Sequence, residues 1–533
     1  MARSFEAHAR NVSVLTFLSR ITGLARDAAM SRVFGAGAVS DSFAFAFMVP
    51  NLFRRLFGEG ALSSSFLPVY ARLEQEQPAV AAALARMVLA RMGIVLGAVV
   101  LLGEAILFLV WPDGSNEAAS LSARLVAILL PYMPLVCLVA LMGAVLQVHH
   151  RFGPTAAAPI VLNLAIVGSC LGFARPTLMM LGVEPVTANA HITLVAVSVI
   201  VAGVLQWWWS ARSIRAVATR HREEREPASR AFRRVILQAV PMALGLGVLQ
   251  VNTFVDGLIA SYPTLVGPTI MGVAYPLDAG SMASLAFAQR LYEFPLGVFG
   301  ISIATAIFPQ LSREAADLPA FRATIARALR LVMFIGLPAS VGLMALRVPL
   351  TAAVFQGDSF SVEDTERVAT ILLAFAPAIW AYSANHVLTR AFYSRGDTMT
   401  PVRVAMAMVA LNFLLNITLI WTPLRTAGLA LSTAICAILQ MAVLLNLLAR
   451  RAGGSFMTAE VIASWWRTGV VTVAMGLALL AASLVTPMQG QWLTMLVTLL
   501  GLVAVGTAVV FGTAWALKMP ELRWALGRVE RRG

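Results

Sequence analysis

Apolar runs of 18 or more residues succeed one another from one end of the chain to the other, and this feature limits the possible folds most. A run of that length with few charges is long enough to cross a bilayer as a helix. Hydrophobic residues make up 59% of the 533 and charged ones only 12%, where a globular protein carries roughly 25% charged. The chain therefore reads as an all-α polytopic membrane protein.

Fourteen candidate spans are separated by polar, Gly- or Pro-containing turns: 11–36, 40–57, 80–111, 121–148, 156–174, 188–210, 235–260, 284–309, 325–347, 366–391, 401–421, 426–449, 461–485 and 492–517. An even count puts both termini on one side. Arginine marks which side, since cytoplasmic loops retain Arg and Lys. With the N-terminus inside, the inner loops hold Arg54, Arg55, Arg72, Arg151, the basic stretch 212–234, the stretch 313–330, Arg395, Arg403, Arg450, Arg451 and a tail with Arg523, Arg528, Arg531 and Arg532. The outer loops 111–120, 175–189, 261–280 and 355–364 contain only Arg175. Both termini are expected to be cytoplasmic.

The net charge of +14 thus reports topology and gives no reason to expect nucleic acid. The single lysine, Lys518, follows no glycine-rich loop, so no phosphate-binding motif for ATP is present. Cys137, Cys170 and Cys436 stand alone in apolar segments, without metal-site or redox spacing, and are expected in the core. The polar opening of the chain and its long first apolar stretch give no removable signal peptide. The longest loop is about twenty residues, too short for an extramembrane catalytic domain, so function is expected within the bilayer.

An internal repeat is legible. Ser42, Phe57-Gly58, Pro68 and Arg72 recur as Ser284, Phe299-Gly300, Pro309 and Arg313, a displacement of 241 or 242. Pro134, Arg151 and Pro159 recur as Pro377, Arg395 and Pro401 at nearly the same displacement. Six spans per repeat preserve orientation, as in parallel transporter repeats. This gives two pseudo-symmetric six-helix lobes, 1–225 and 226–451, and two additional helices with a basic tail in 452–533.

Arg20 falls near the middle of the first span, where a charge costs roughly 2.5–3.5 kcal/mol on insertion scales. On a helical wheel Ser13, Thr16, Ser19, Arg20, Gly23, Arg26, Asp27 and Ser31 lie within about 140°, one polar stripe along the helix. In one reading, Arg20 and Arg26 pair with Asp27 or Asp41 and only join helices. The other reading follows from numbers: Arg3, Arg10, Arg20, Arg26, Arg32, Arg54 and Arg55 face only Glu6, Asp27, Asp41 and Glu59. Surplus guanidinium groups fit an anionic ligand, because the fork grips phosphate oxygens bidentately and stays charged in a low-dielectric site.

The second span ends Pro50-Asn-Leu-Phe-Arg54-Arg55-Leu-Phe-Gly58-Glu59-Gly60, where the arginines are either interfacial anchors or ligand contacts and Glu59 sits in a flexible candidate gate. Arg290 lies inside the eighth span, with Glu293 one turn on as an intrahelical partner; the sharper reading has it face Arg20 and Arg26 across a cleft. Asp256, Asn412 and Asn416 form an oxygen-rich set for a coupling cation or proton, or serve as interhelical hydrogen-bond glue. Glu104 and His386 are intramembrane without an assigned role, and His149 and His150 fall at an inner interface.

The motifs Phe17-Leu-Ser-Arg20-Ile-Thr-Gly-Leu-Ala-Arg26-Asp27, Phe34-Gly-Ala-Gly37, Asp41, Pro50-Asn-Leu-Phe-Arg-Arg-Leu-Phe-Gly-Glu-Gly-Ala61, Ser65-Phe-Leu-Pro68, Tyr292-Glu-Phe-Pro-Leu-Gly-Val298, Phe392-Tyr-Ser-Arg-Gly-Asp-Thr398 and Thr400-Pro401 occur in order over essentially the full length. In these the chain resembles the MurJ (MviN) lipid II flippases of the MOP exporter superfamily. The resemblance implies a transporter, not an enzyme, in the bacterial inner membrane. Its implied activity is to move the undecaprenyl-pyrophosphate-linked peptidoglycan precursor outward by alternating access, with a cationic cavity for the head and a groove beside the last two helices for the tail. It implies substrate-binding roles for Arg20, Arg26, Asp41, Arg54 and Arg290. It implies lipid II and membrane lipids as partners, a monomer, no cofactor, and a sodium ion, a proton or the membrane potential as coupling force. Loop 261–280 is longer and richer in Pro and Gly than the family pattern.

The alternative is a MOP-type exporter of another lipid-linked oligosaccharide. Drug export calls for an acidic cavity, and a glycan polymerase for carboxylates on a sizeable outer loop. An anion channel is disfavoured by the two-lobe repeat.

Overall fold

The computed structural model of the chain describes residues 2–58, 60–110, 116–216, 225–486 and 492–525. Glu59 and the tail arginines Arg528, Arg531 and Arg532 lie outside these residues. Backbone N–H and C=O groups in lipid have no water to bond, so apolar segments close their hydrogen bonds internally as helices. Each of the fourteen apolar segments is helical.

In the first half these helices are α1 (Ala2–Phe34), α2 (Ala38–Phe53), α3 (Ala61–Glu76), α4 (Pro78–Val110), α5 (Glu117–Leu129), α6 (Tyr132–Val148), α7 (Gly153–Gly172), the short α8 (Arg175–Met180), α9 (Ala188–Arg215) and α10 (Arg225–Leu265). A two-stranded hairpin, β1 (Thr269–Ile270) and β2 (Val273–Ala274), follows. Then come α11 (Ser281–Pro295), α12 (Ile301–Arg313), α13 (Leu318–Phe355), α14 (Val362–Phe375), α15 (Ile379–Ser394), α16 (Met399–Leu419), α17 (Thr426–Arg451), α18 (Ala459–Ser483), α19 (Trp492–Ala516) and the short α20 (Pro520–Ala525).

Among the described residues ten helices, two of them continuing through α5–α6 and α14–α15, are long and apolar enough to cross a membrane. The other four expected spans fall on α1, on α2, on α10 and on α11–α12. The first carries Arg20, Arg26 and Asp27 close together in its middle, and the second and fourth are interrupted by π turns, Arg54–Gly58 and Leu296–Gly300. Many large apolar side chains face outward, such as Leu101, Phe108 and Leu109 on α4 and Leu493, Val497 and Leu500 on α19. Water would penalise such a surface, whereas lipid accommodates it.

The chain divides into two compact units, 1–283 and 284–533. This packing boundary differs from the repeat boundary at 225/226, because α10 packs on α2, α3, α4 and α5 within the first unit. The first core joins Phe43, Leu125, Leu129, Tyr132, Ile166, Val195 and Val199. In the second, Phe321, Leu329, Leu388, Phe392, Leu444 and Leu448 join α13, α15 and α17. Cys137, Cys170 and Cys436 are buried free thiols, as the sequence led us to expect.

Side-chain caps terminate the helices where the sequence leaves lipid: Asn116 on α5, Thr187 on α9, Asp317 on α13, a Ser361/Asp364 capping box on α14 and Thr458 on α18. The two additional helices, α18 and α19, pack on α13. There Glu521, 1% exposed, accepts from Arg330 Nε at 2.7 Å and from Ser464 Oγ at 2.7 Å, which ties α20 to α13 and α18.

The repeat reaches down to backbone irregularities. Both π turns sit at equivalent places, Arg54–Gly58 and Leu296–Gly300 being 242 residues apart, and each ends on a glycine under a neighbouring helix. A Cβ on Gly58 would lie 3.0 Å from Ala140 Cβ on α6, and one on Gly300 would lie 2.9 Å from Ser383 Cβ on α15. Ala140 and Ser383 are themselves 243 residues apart, the displacement of Pro134 and Pro377. Helix pairs pressed this close need a glycine at the contact.

Candidate functional site

In the first unit α1 lies along α7 and carries the polar stripe. Arg26 is held on two sides: Nε and Nη2 donate to Asp27 Oδ1 at 2.8 and 2.6 Å, and Nη1 donates to Asn163 Oδ1 on α7 at 3.2 Å. The pair is mostly buried, with side chains 14% and 13% exposed, and the guanidinium carbon lies 6.0 Å from the Phe47 ring centroid. Asn163 turns its amide nitrogen to Ser19 O at 3.3 Å and Thr22 Oγ1 at 3.2 Å. Two turns earlier, Arg20 is half-buried and makes no hydrogen bond or ion pair among the described residues.

The middle of α1 thus carries one neutralised arginine and one uncompensated arginine. Pairing with an acid describes Arg26, whose acid is Asp27, and among the described residues it does not describe Arg20. Arg54 opens the first π turn, and its Nε donates to Asn51 Oδ1 at 3.2 Å. Asn51 in turn donates to Phe47 O at 3.0 Å, which fixes the acceptor. Arg55 is exposed, as an interfacial anchor is.

Asp41 has a different setting from the one the resemblance implies. It is fully buried, and its carboxylate accepts from Gly280 N at 2.6 Å, Thr264 Oγ1 at 2.8 Å and Ala283 N at 2.7 Å. It therefore caps the start of α11 from α2, neutralising N–H groups that a helix end leaves unpaired. In this structure its oxygens serve two backbone N–H groups and the Thr264 hydroxyl.

The hairpin that precedes α11 accounts for the length of loop 261–280. Met271 and Gly272, at φ 49° and 81°, form its turn, and Tyr262 and Tyr275 stack at 4.3 Å below it. Burial, then the neighbouring Tyr262, pushes the Tyr275 phenol up to about 12.

In the second unit Arg290 and Glu293 approach to 3.6 Å on α11, with side chains 41% and 37% exposed. The intrahelical pairing is therefore present, and at that distance and exposure it is weak. Gln289 also donates to Glu293, at 3.2 Å.

Asn412 and Asn416 come together. Asn416 Nδ2 donates to Asn412 Oδ1 at 3.0 Å, Asn412 Nδ2 donates to Ser432 Oγ at 3.1 Å, and the Ser432 hydroxyl donates to Asn416 Oδ1. This closed ring zips α16 to α17, the glue role, and both asparagines are buried. Asp256 lies in the first unit on α10, where Asn252 Nδ2 donates to it at 3.3 Å. His149 is a partner of Tyr70, ring nitrogen to hydroxyl at 3.0 Å, and Tyr70 is held protonated by burial and by Glu74.

A family model described as lipid II flippase MurJ matches residues 30–503. This chain belongs to that family. The matched stretch includes Asp41, Arg54, Asn163 and Arg290 and begins after Arg20 and Arg26. A probable lipid II flippase MurJ of Vibrio cholerae is 31% identical over 81% of this chain and 81% of its own length. The lipid II flippase MurJ of Burkholderia cenocepacia is 29% identical over 95% of this chain and 96% of its own. Among solved structures, a lipid II flippase MurJ in an inward closed conformation superposes with a TM-score of 0.74 at 22% identity, over 95% of this chain and 99% of that one. An inward-facing MATE-family multidrug transporter of the MOP superfamily superposes with a TM-score of 0.60 at 13% identity, over 82% and 94%. The MurJ and MOP fold expected from the sequence is the fold found.

Asn163 is the site residue that the sequence reading passed over. It is a strongly polar side chain inside an otherwise apolar span, and that alone is a signal.

Proposed function

We propose that this chain is a lipid II flippase of the bacterial inner membrane, a transporter and not an enzyme. The observation that carries this is Arg20, a mid-span guanidinium left uncompensated two turns from the fixed Arg26 in a chain of the MurJ family. An unpartnered cation in lipid is unfavourable, and an anionic head group offsets that cost. A lipid diphosphate matches it in charge and in fork geometry, while the polyprenyl tail stays in lipid.

In this reading Arg20, Arg26, Arg54 and Arg290 bind the head and Asp41 holds the start of α11. The chain works as a monomer, with both termini cytoplasmic, by alternating access. It uses no ATP of its own and draws on a cation gradient at Asp256, sodium or proton, or on the membrane potential. A lipid-linked oligosaccharide other than lipid II is the alternative substrate.

The test is transport by the purified chain in vesicles carrying lipid II in one leaflet. Movement of lipid II that Arg20→Ala abolishes supports the reading. Absence of movement, or equal movement of a lipid-linked glycan without the peptide, overturns it.

A further inference from the structure

We infer that Asn163 is a positioning residue for the substrate diphosphate, acting through Arg26; this rests on the flippase reading above. A guanidinium has five N–H donors, and Arg26 spends Nε and one Nη2 hydrogen on a single oxygen of Asp27. Asp27 is the next residue on the same helix, and side chains at i and i+1 do not face each other. A one-oxygen grip from that position leaves the guanidinium plane free to swing.

Asn163 removes that freedom. It comes from a different helix, is 4% exposed, and gives Arg26 Nη1 a second fixed point at 3.2 Å. Its own orientation is determined by its partners. Nδ2 meets two acceptors, Ser19 O and Thr22 Oγ1, and the Thr22 hydroxyl donates to Leu18 O at 3.0 Å, so its lone pairs are free to accept. Turning the amide over would set its oxygen against the Ser19 carbonyl and its nitrogen against a guanidinium donor.

The amide is thus a strut between two turns of α1 and the Arg26 fork. When a phosphate takes the Nε–Nη2 edge from Asp27, Asn163 still holds Nη1 and the plane keeps its direction. A bidentate phosphate contact needs that fixed plane, whereas a neutral lipid does not.

The test measures binding of undecaprenyl diphosphate and of undecaprenol to the full chain in nanodiscs, for wild type, Asn163→Leu, Arg26→Ala and the double variant, with melting temperatures alongside. The expected result is an affinity for the diphosphate about tenfold lower in Asn163→Leu, unchanged undecaprenol binding, and no further loss when Asn163→Leu is added to Arg26→Ala. Asn163→Ala replaces Asn163→Leu if the larger side chain prevents folding. Wild-type affinity for the diphosphate in the Asn163 variant overturns the inference and leaves the flippase reading intact. So does an additional loss of similar size in the Arg26→Ala background, which marks helix glue. Wild type showing no preference for the diphosphate over undecaprenol overturns both.

Discussion

The Asp41 carboxylate accepts a hydrogen bond from the Ala283 backbone N–H at 2.7 Å, and the two residues occupy equivalent positions in the repeat, 242 residues apart. A residue near the start of α2 thereby caps α11, the helix that corresponds to α2 in the second repeat. With Gly280 N and Thr264 Oγ1 on the same carboxylate, three donors depend on it. An acid need not touch the ligand to matter.

Replacing Asp41 by Asn removes the charge and sets an NH2 group against N–H donors. Hydrogen bonds to a charged group contribute roughly 1.5–3 kcal/mol, so Asp41→Asn is expected to lose about that much stability. Thermal unfolding in detergent checks this. Undecaprenyl diphosphate affinity is expected to stay within about threefold of wild type, and a large loss of affinity at unchanged stability would make Asp41 a ligand contact.

Arg20 carries the opposite expectation. Its guanidinium has no partner to lose among the described residues, so Arg20→Ala is expected to fold and accumulate at wild-type level while lipid diphosphate binding falls by tenfold or more. Arg54→Lys is also expected to fail in complementation, because a point charge keeps neither the fork nor the Asn51 contact. Full activity of Arg54→Lys would count against phosphate binding there.

The π turns give a packing test. Gly300→Ala drives a Cβ into Ser383, and overpacking of this kind costs typically 1–3 kcal/mol. Gly58→Ala meets Ala140 at 3.0 Å and is expected to be milder. Ser383→Gly is expected to restore most of the stability of Gly300→Ala, measured as recovery of the melting temperature.

For coupling, Asp256→Asn is expected to make transport independent of the sodium or proton gradient, measured by varying each across vesicles. Asn412→Leu opens the α16–α17 ring and is expected to cost about 1–3 kcal/mol of stability through the groups left unpaired. Unaltered gradient dependence in Asp256→Asn would remove that residue from the coupling scheme.

The sequence exposed the fold because lipid leaves apolar runs few options, and fourteen of them, twelve in two displaced copies of six and two more at the end, specify the architecture. It also singled out Arg20, since a mid-span charge is costly enough to be informative. The partners stayed hidden for a physical reason: Asp41 accepts from donors over two hundred residues away, two of them backbone N–H groups with no side-chain signature, and Asn163 meets Arg26 across 137 residues. The π turns were equally illegible, although the glycines that end them, Gly58 and Gly300, were already matched by the repeat. Loop 261–280 read only as long and Gly-rich; its hairpin follows from the Met271-Gly272 turn.

The most direct measurement is the amount of lipid II accessible on the outer leaflet of cells depleted of this chain and supplied with wild type or Arg20→Ala. Outer-leaflet lipid II is expected to collapse on depletion, return with wild type, and stay absent with Arg20→Ala at equal protein level. Undiminished lipid II on the outer leaflet after depletion, or full restoration by Arg20→Ala, would contradict the flippase reading.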